Sequence, residues 1–178
     1  SDPVSAYGLM RSAIADPDPV IFIEHKGLYA MKAEVSEELA AIPLGQAAHR
    51  CAIGCLTVVT YGAGVAVSLA AAEQLAAEGI QVEVLDLQSL QPWDEAAVLE
   101  SLVRTGHLVI VHEAVEAFGA GAEIAARMAD IGFAHLKGPI IRVGAPFTPV
   151  PFAAALEARY RPSAERVVAA IRQTLGKE

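Results

Sequence analysis

The chain has 178 residues, 54% of them hydrophobic and 19% charged, with a net charge of −8. An acidic chain with scattered charges repels a phosphate backbone and has no polybasic run for an anionic lipid surface, which excludes nucleic-acid and lipid-surface binding as function classes. No apolar stretch approaches the ~20 residues of a membrane-spanning helix, and the length fits one main domain with an appendage.

The chain opens Ser1-Asp2-Pro3, without Met and without a secretory apolar region, as if it begins inside a longer protein. Ser5 to Asp16 has a helical pattern with Leu9, Ala13 and Ile14 near one face. Asp16-Pro17-Asp18-Pro19 ends it, since proline disfavours helix in the residue before it. VIFIEH, Val20 to His25, is β-branched and apolar and is expected to form a buried strand that turns polar at its end. Lys26 to Ala48 sustains no period, and a loop of about twenty residues is uncommon inside a compact domain. The expected division is therefore a separate tail over 1–25, a linker over 26–48 and a main domain over 49–178. Cys51 and Cys55 form a lone C-x3-C pair, which signals neither zinc nor a disulfide framework, so both read as ordinary thiols in a reducing cytosol.

Beyond the linker, strands and helices alternate. CLTVVTYG (Cys55–Gly62) reads as a strand and Val65–Gly79 as a helix with Val67, Ala70, Ala71, Leu75 and Ala76 as its buried stripe. Gln81–Gln88 is a strand; Asp94 caps a helix closed by Gly106; His107–Ala114 is a strand; Ala120 to Leu136 is a helix. Pro139–Gly144 is a further strand, and Ser163 caps a last helix that stops before Gly176. Apolar strands between amphipathic helices imply an α/β fold of three layers, α/β/α, around a mainly parallel, Rossmann-like sheet.

Ligands in such sheets sit outside the carboxyl ends of the strands. Two of those ends carry G-x-G, Gly62-Ala63-Gly64 and Gly119-Ala120-Gly121. A dinucleotide fingerprint needs a third small residue, and Val67 and Ile124 stand in that place instead. The glycines read as tight turns that allow close backbone approach. His112 and Glu113 are the acid–base candidates, yet neighbours on a strand point to opposite faces. Holding a loop or meeting a partner subunit is the reading set beside the catalytic one. His25 reads as a solvated boundary residue, and His49, His107 and His135 show no metal-ligand spacing. No G-x-S-x-G elbow is present.

The order of DPDPVIFIEHKGLY (Asp16–Tyr29), LTVVTYG (Leu56–Gly62), VEVLDLQSLQPWD (Val82–Asp94), LVRTGHLVIVHEA (Leu102–Ala114), GAEIAARM (Gly121–Met128), APFTPVPFA (Ala145–Ala153) and YRPSAERVVAAI (Tyr160–Ile171) resembles the C-terminal part of the beta subunit of thiamine-diphosphate-dependent 2-oxo acid dehydrogenases. The resemblance implies a transketolase C-terminal-like domain preceded, over residues 1–25, by the tail of a pyrimidine-binding domain. It implies a complex that oxidatively decarboxylates a 2-oxo acid and transfers the acyl group to lipoyl. The branched-chain acids are favoured, with pyruvate and acetoin types as alternatives. It implies thiamine diphosphate and Mg in the full assembly, bound between the alpha subunit and the N-terminal domain of the beta subunit. It carries no catalytic, cofactor-binding or metal residue over to this chain, and this chain alone is expected to be inactive and to bind no cofactor. The implied partners are the alpha subunit, a second beta subunit and the dihydrolipoyl acyltransferase core, in a bacterial cytoplasm or a mitochondrial matrix. His112, Glu113, Gly119, Gly121 and Glu123 are the candidate contact or docking residues, with the Ala-rich helix from Gly121 to Asp130 allowing close approach. Many family members have Arg where Gln88 stands, so a salt bridge near Asp86 is expected to be lost. Another thiamine enzyme of the transketolase superfamily, and a free-standing Rossmann-like binding module, are the competing readings.

Overall fold

The computed structural model describes residues 1–34, 40–51 and 54–177. Four strands, β2 (Leu56–Thr60), β3 (Val82–Asp86), β4 (Leu108–Val115) and β5 (Ile141–Ala145), run parallel, and a two-residue strand β1 (Ala48–His49) pairs antiparallel with β3. The order is β1-β3-β2-β4-β5. The helices are α1 (Pro3–Ala15), α2 (Gly64–Ala76), α3 (Glu95–Thr105), α4 (Ala120–Ile131), α5 (Ala154–Tyr160) and α6 (Ala164–Thr174).

Every side chain of β2 and β3 is buried, so both faces of the sheet need cover. On one face Val58, Val84, Val109, Val111 and Val143 pack against Ala71 and Leu75 of α2 and Val167 and Ile171 of α6. On the other, Val59, Leu85, Leu108 and Ile110 pack against Val98 and Leu102 of α3 and Ile124 and Met128 of α4. Full burial of each such aliphatic side chain contributes roughly 1.5–3 kcal/mol. Period-two alternation along β4 sends Val109 and Val111 to the first face and Leu108, Ile110 and His112 to the second. The three-layer α/β/α expectation is met.

The helix ends follow their side chains. Asp94 accepts from the Ala97 N–H at 3.0 Å, Ser163 caps α6, and Gly106 closes α3 at φ 77°, a left-handed conformation that costs glycine little. Other expectations need correction. Val20–His25 is not a strand: no strand pairs with it, and Ile21 and Ile23 are 88% and 82% exposed. Its composition favours a strand, but a strand is stabilised by neighbours, and none is present among the described residues. Ile14 of α1 is exposed too, and the helix instead buries Ser5, Gly8 and Leu9. The buried stripe of α2 is rotated: Gly64, Val65, Ser68, Ala71, Ala72 and Leu75 face inward, while Ala70 and Ala76 face out. The helix expected to reach Leu136 stops at Ile131, where Gly132, a weak helix former, caps it, and one 3₁₀ turn (Phe133–His135) follows. The short β1 and α5 had no expectation. Residues 35–39 of the expected linker lie outside the described residues.

A polar seam runs under α3. The Glu83 carboxylate is fully buried on β3. Arg104 donates to both of its oxygens at 2.7 and 2.6 Å, Ser101 donates at 2.7 Å, and His49 Nδ1 lies 2.6 Å away. Burial pushes the Glu83 pKa up, but the hydrogen bonds from Ser101 and Arg104 and the charges of Arg104 and His49 outweigh it and hold it below the ordinary 4.5. Thr57 joins the seam through Ser101 and Thr105. Removing Arg104 leaves a buried carboxylate short of its main partner. Arg104→Ala is therefore expected to cost about 3 kcal/mol, the low end for a broken buried pair because Ser101 and His49 remain. Urea denaturation at neutral pH measures this. The depressed pKa places the stabilisation above the ordinary carboxylate range and removes it as the pH falls through the folded value. The variant should show less of that acid loss.

Candidate functional site at the carboxyl ends of the strands

From β2 the chain crosses to β3 on one side and later to β4 and β5 on the other. The switch point therefore lies between the carboxyl ends of β2 and β4, where doubly wound sheets place ligands. Tyr61 to Gly64 leave β2 there, and His112 and Glu113 stand on β4.

His112 is fully buried and faces α4. Three glycines lie against its imidazole. A Cβ on Gly121 would overlap Nε2, and one on Gly119 or Gly144 would stand 3.0 or 3.2 Å from Cε1. Tyr61 stacks on the ring, with centroids 6.3 Å apart and planes within 3°. Neither ring nitrogen makes a hydrogen bond of ordinary geometry among the described residues. Burial pushes the His112 pKa below 6.5, against the pull of the Ala114 backbone and Glu116. The second G-x-G thus makes room for a side chain of the protein itself.

Glu113 points to the opposite side. Its Oε2 lies 2.7 Å from His25 Nε2, and its Oε1 accepts from Arg161 Nε at 3.1 Å. It borders a crevice of about 230 Å³ lined also by Gly64, Val67, Ala158 and Pro162. Burial and, after it, the Glu113 charge raise the pKa of Tyr61. His112 and Glu113 do not share a site, and His25 lies against the Glu113 carboxylate rather than standing as a solvated boundary residue. Nothing in its local sequence announces this, because Glu113 lies far along the chain.

Gly119 is the N-cap of α4, Gly121 lies in its first turn, and Glu123 is exposed in that turn, where a negative charge suits the helix N-terminus. The loop between β4 and α4 is pinned by Glu116, which accepts from the Gly144 N–H at 3.1 Å, and by Arg142, which donates to the Glu116 carbonyl. Arg166 donates to the Gly144 carbonyl at 2.6 Å. Beyond the pinned loop, Ala122, Ala125, Ala126 and Ala129 of α4 line an open trough of about 930 Å³ with Phe133 and Ile140.

The salt bridge expected to be lost with Gln88 is supplied from elsewhere. Arg50 donates to Asp86 from Nε at 3.1 Å and from Nη2 at 2.7 Å, and it also reaches Asp2 at 2.9 Å. Gln88 turns instead to Ser5, at 3.3 Å. Cys51 and Cys55 are free thiols. No helix among the described residues is long and apolar enough to cross a membrane.

Residues 45–167 match the family profile of the transketolase C-terminal domain. The chain belongs to that family. This transketolase C-terminal domain is 44% identical to the beta subunit of acetoin:2,6-dichlorophenolindophenol oxidoreductase of Bacillus subtilis, over 99% of this chain and 52% of that protein. It is 45% identical to the protein of the same name from Cupriavidus necator, over 98% of this chain and 52% of that one. To the pyruvate dehydrogenase E1 component subunit beta of Bacillus subtilis it is 39% identical, over 98% of this chain and 54% of that protein. The chain spans about half the length of these relatives. Among solved structures it resembles a split-gene transketolase, an inactive beta4 tetramer, with a TM-score of 0.68 and 29% identity over 82% of this chain and 46% of that one. These relatives are acetoin and pyruvate enzymes by name, and none of the three carries the branched-chain preference expected from the sequence. A pyrophosphate does not fit the glycine turn after β4. The glycine turn after β4 is filled by the His112 ring, and no three His, Cys, Asp or Glu side chains converge among the described residues.

Gly121→Ala should therefore destabilise the domain by about 1–3 kcal/mol through overpacking against His112. Placed on a His112→Ala background the same change should become neutral or stabilising, because alanine is the better helix former; paired urea titrations read the change of sign. Since the folded pKa of His112 lies below its unfolded value, the unfolded chain binds the proton first. Stability is full above about 6.5 and falls as the pH drops from there towards the folded value. His107 adds to the same slope, being shifted down by burial first and then by Lys137. A His112→Leu variant should keep only a part of the loss seen in the parent chain, measured as urea midpoints across that window.

Proposed function

We propose that this chain is the subunit-assembly and docking part of the beta subunit of an acetoin- or pyruvate-type thiamine-diphosphate-dependent dehydrogenase. The carboxylates at the strand ends, Asp86, Glu113 and Glu116, are paired within the chain itself, while apolar surface is left open; that contrast carries the reading. In the intact enzyme, thiamine diphosphate and magnesium are held between the alpha subunit and another part of the beta subunit, and this chain supplies rigid support for both. On this reading residues 1–25 are the tail of the pyrimidine-binding domain. Their exposed Tyr7, Met10, Ile14, Ile21 and Ile23 support it, as a helix and a strand-forming segment that lack the sheet they would join. The alpha subunit and a second beta subunit are the partners of the alanine trough on α4, whose small side chains permit close approach. A basic docking domain of the dihydrolipoyl acyltransferase core suits the net charge of −8.

Two measurements test this. Ala126→Arg and Ala129→Arg change exposed positions in the trough. Introduced into the whole beta subunit, they should leave the circular dichroism spectrum unchanged and shift sedimentation with the alpha subunit from a heterotetramer to separate species. Unaltered assembly would remove the trough from the reading. This chain alone, supplied with thiamine diphosphate, magnesium and either acetoin or pyruvate, should reduce 2,6-dichlorophenolindophenol no faster than buffer. Turnover above buffer would place the chemistry on this chain after all.

A further inference from the structure

Among the described residues, the exposed large hydrophobic side chains are not scattered. All except Val103 and Phe133 belong to α1, to residues 20–31, or to the stretches that directly follow β3, β4 and β5. The densest group follows β4 and β5. Phe118 after β4, and Phe147, Val150 and Phe152 after β5, are exposed, as is Leu156 of α5, a helix that buries no residue. The two stretches leave the sheet side by side. The Glu116 N–H donates to the Ala145 carbonyl at 3.0 Å, and Phe118 and Phe147 each stand two residues further on. An aromatic side chain covers roughly 150–250 Å², so three phenylalanines with Val150 and Leu156 offer roughly 500–800 Å², the scale of the ~800 Å² per partner in a stable interface. Phe118 is also held out by its backbone. Its φ is 60°, in the left-handed region that a bulky residue enters at a cost, while Glu116, Gly144 and Arg142 pin the turn around it. Such strain is found where a side chain has a role outside its own core.

The patch carries no charge of its own. Ala145 to Leu156 contains no Asp, Glu, Lys or Arg, and the flanking Glu113, Glu116 and Glu157 are paired with Arg161 and Arg166. An apolar, uncharged surface therefore suits it, and a basic one does not. Residues 25–29 lie at its border, with His25 Nε2 2.7 Å from Glu113 and the Gly27 backbone beside the Arg161 guanidinium. α1 begins at the carboxyl end of β3. It is fixed there along one side, by Arg50 between Asp2 and Asp86, by the bond from the Ile42 N–H to the Gly8 carbonyl, and by buried Leu9. Its other side, with Tyr7, Met10 and Ile14, stays exposed. The Ser1 hydroxyl donates to Asp86, so chain joined ahead of Ser1 emerges at this same end of the sheet. The relatives are about twice as long as this chain, which is room for a second domain.

We propose that the carboxyl-end face, from α1 across to Phe118, Phe147 and Phe152, is the seat of the pyrimidine-binding domain of the same beta subunit. This rests on the assignment of residues 1–25 to that domain and goes beyond it. α1 and residues 20–25 are what that domain leaves on the face, and the phenylalanines are what this chain offers it in return. The contact is made by side-chain packing, since Pro146, Pro149 and Pro151 have no N–H for strand pairing. The trough on α4 is lined by other residues and stays open to a separate subunit.

Hydroxyl-radical footprinting of this chain, of the whole beta subunit, and of the beta subunit with its alpha partner tests the seat. Phe118, Phe147 and Phe152 should be oxidised severalfold more slowly in the whole beta subunit than in this chain, at every protein concentration. Phe133, which lines the trough, reads assembly with the alpha subunit separately. Equal reactivity of the three phenylalanines in this chain and in the beta subunit would overturn the proposal. Protection that appears only with the alpha subunit, or that fades on dilution as a contact between copies does, would overturn it too. Substitutions give a second readout. Phe118→Gly relieves the left-handed strain, so it should leave the urea midpoint of this chain no lower and should lower that of the whole beta subunit. Phe147→Ser combined with Phe152→Ser should divide the two proteins in the same way. A fall of equal size in both, or in neither, would count against the seat.

Discussion

The rest of the structure depends on a sheet whose central strands have no solvent side. Every residue of β2 and β3 is buried, whichever face it points to. A sheet in that condition needs a helical layer on each face, and each layer needs an apolar stripe matched to alternate strand residues. The valines of one face and the mixed Val, Leu and Ile of the other meet that demand. Once the layers are in place, the central strands can present chemistry at their ends.

The way polar groups are handled follows from the same burial. Glu83 and Thr57 interrupt the apolar pattern of the inner strands, and each is answered by a hydroxyl or guanidinium from α3. The edge strand β1 is fastened into that seam by His49. At the strand ends the same economy holds. Asp86, Glu113 and Glu116 are each met by an arginine or by backbone, from the chain itself. His112, without a hydrogen bond of ordinary geometry, is held by a stacked tyrosine and a roof of glycine backbone. What remains open is apolar, on α4, on α1 and along the segment between His25 and the end of α1. That distribution is what the proposed assembly role rests on.

Much of the architecture was legible beforehand. The four parallel strands, the caps at Asp94 and Ser163 and the stop at Gly106 each rest on local signals of a few residues, and each appears where its signal stands. The failures have a common origin. VIFIEH has the composition of a buried strand and lies exposed, because strand formation is completed by a partner and not by the segment alone. The stripe of α2 was misplaced because an almost uniformly apolar and alanine-rich helix has no polar face to fix its rotation. At the candidate site, the residues on β4 were found, since strand ends are predictable. Their partners were not: Arg161 had no assigned role and His25 was read as a solvated boundary residue, since each acts across a long separation in sequence.

The sequence by itself determined the class of the fold and the residues at the carboxyl ends of the strands. It could do so because apolar periodicity, caps and turn glycines are local. It also showed that neither G-x-G was a complete nucleotide cradle. Only the tertiary structure decided what the glycines after β4 were for and which groups meet at the strand ends. Close approach between Gly121 and His112, and the bond between His25 and Glu113, are distances between parts of the chain that meet only when the layers have closed.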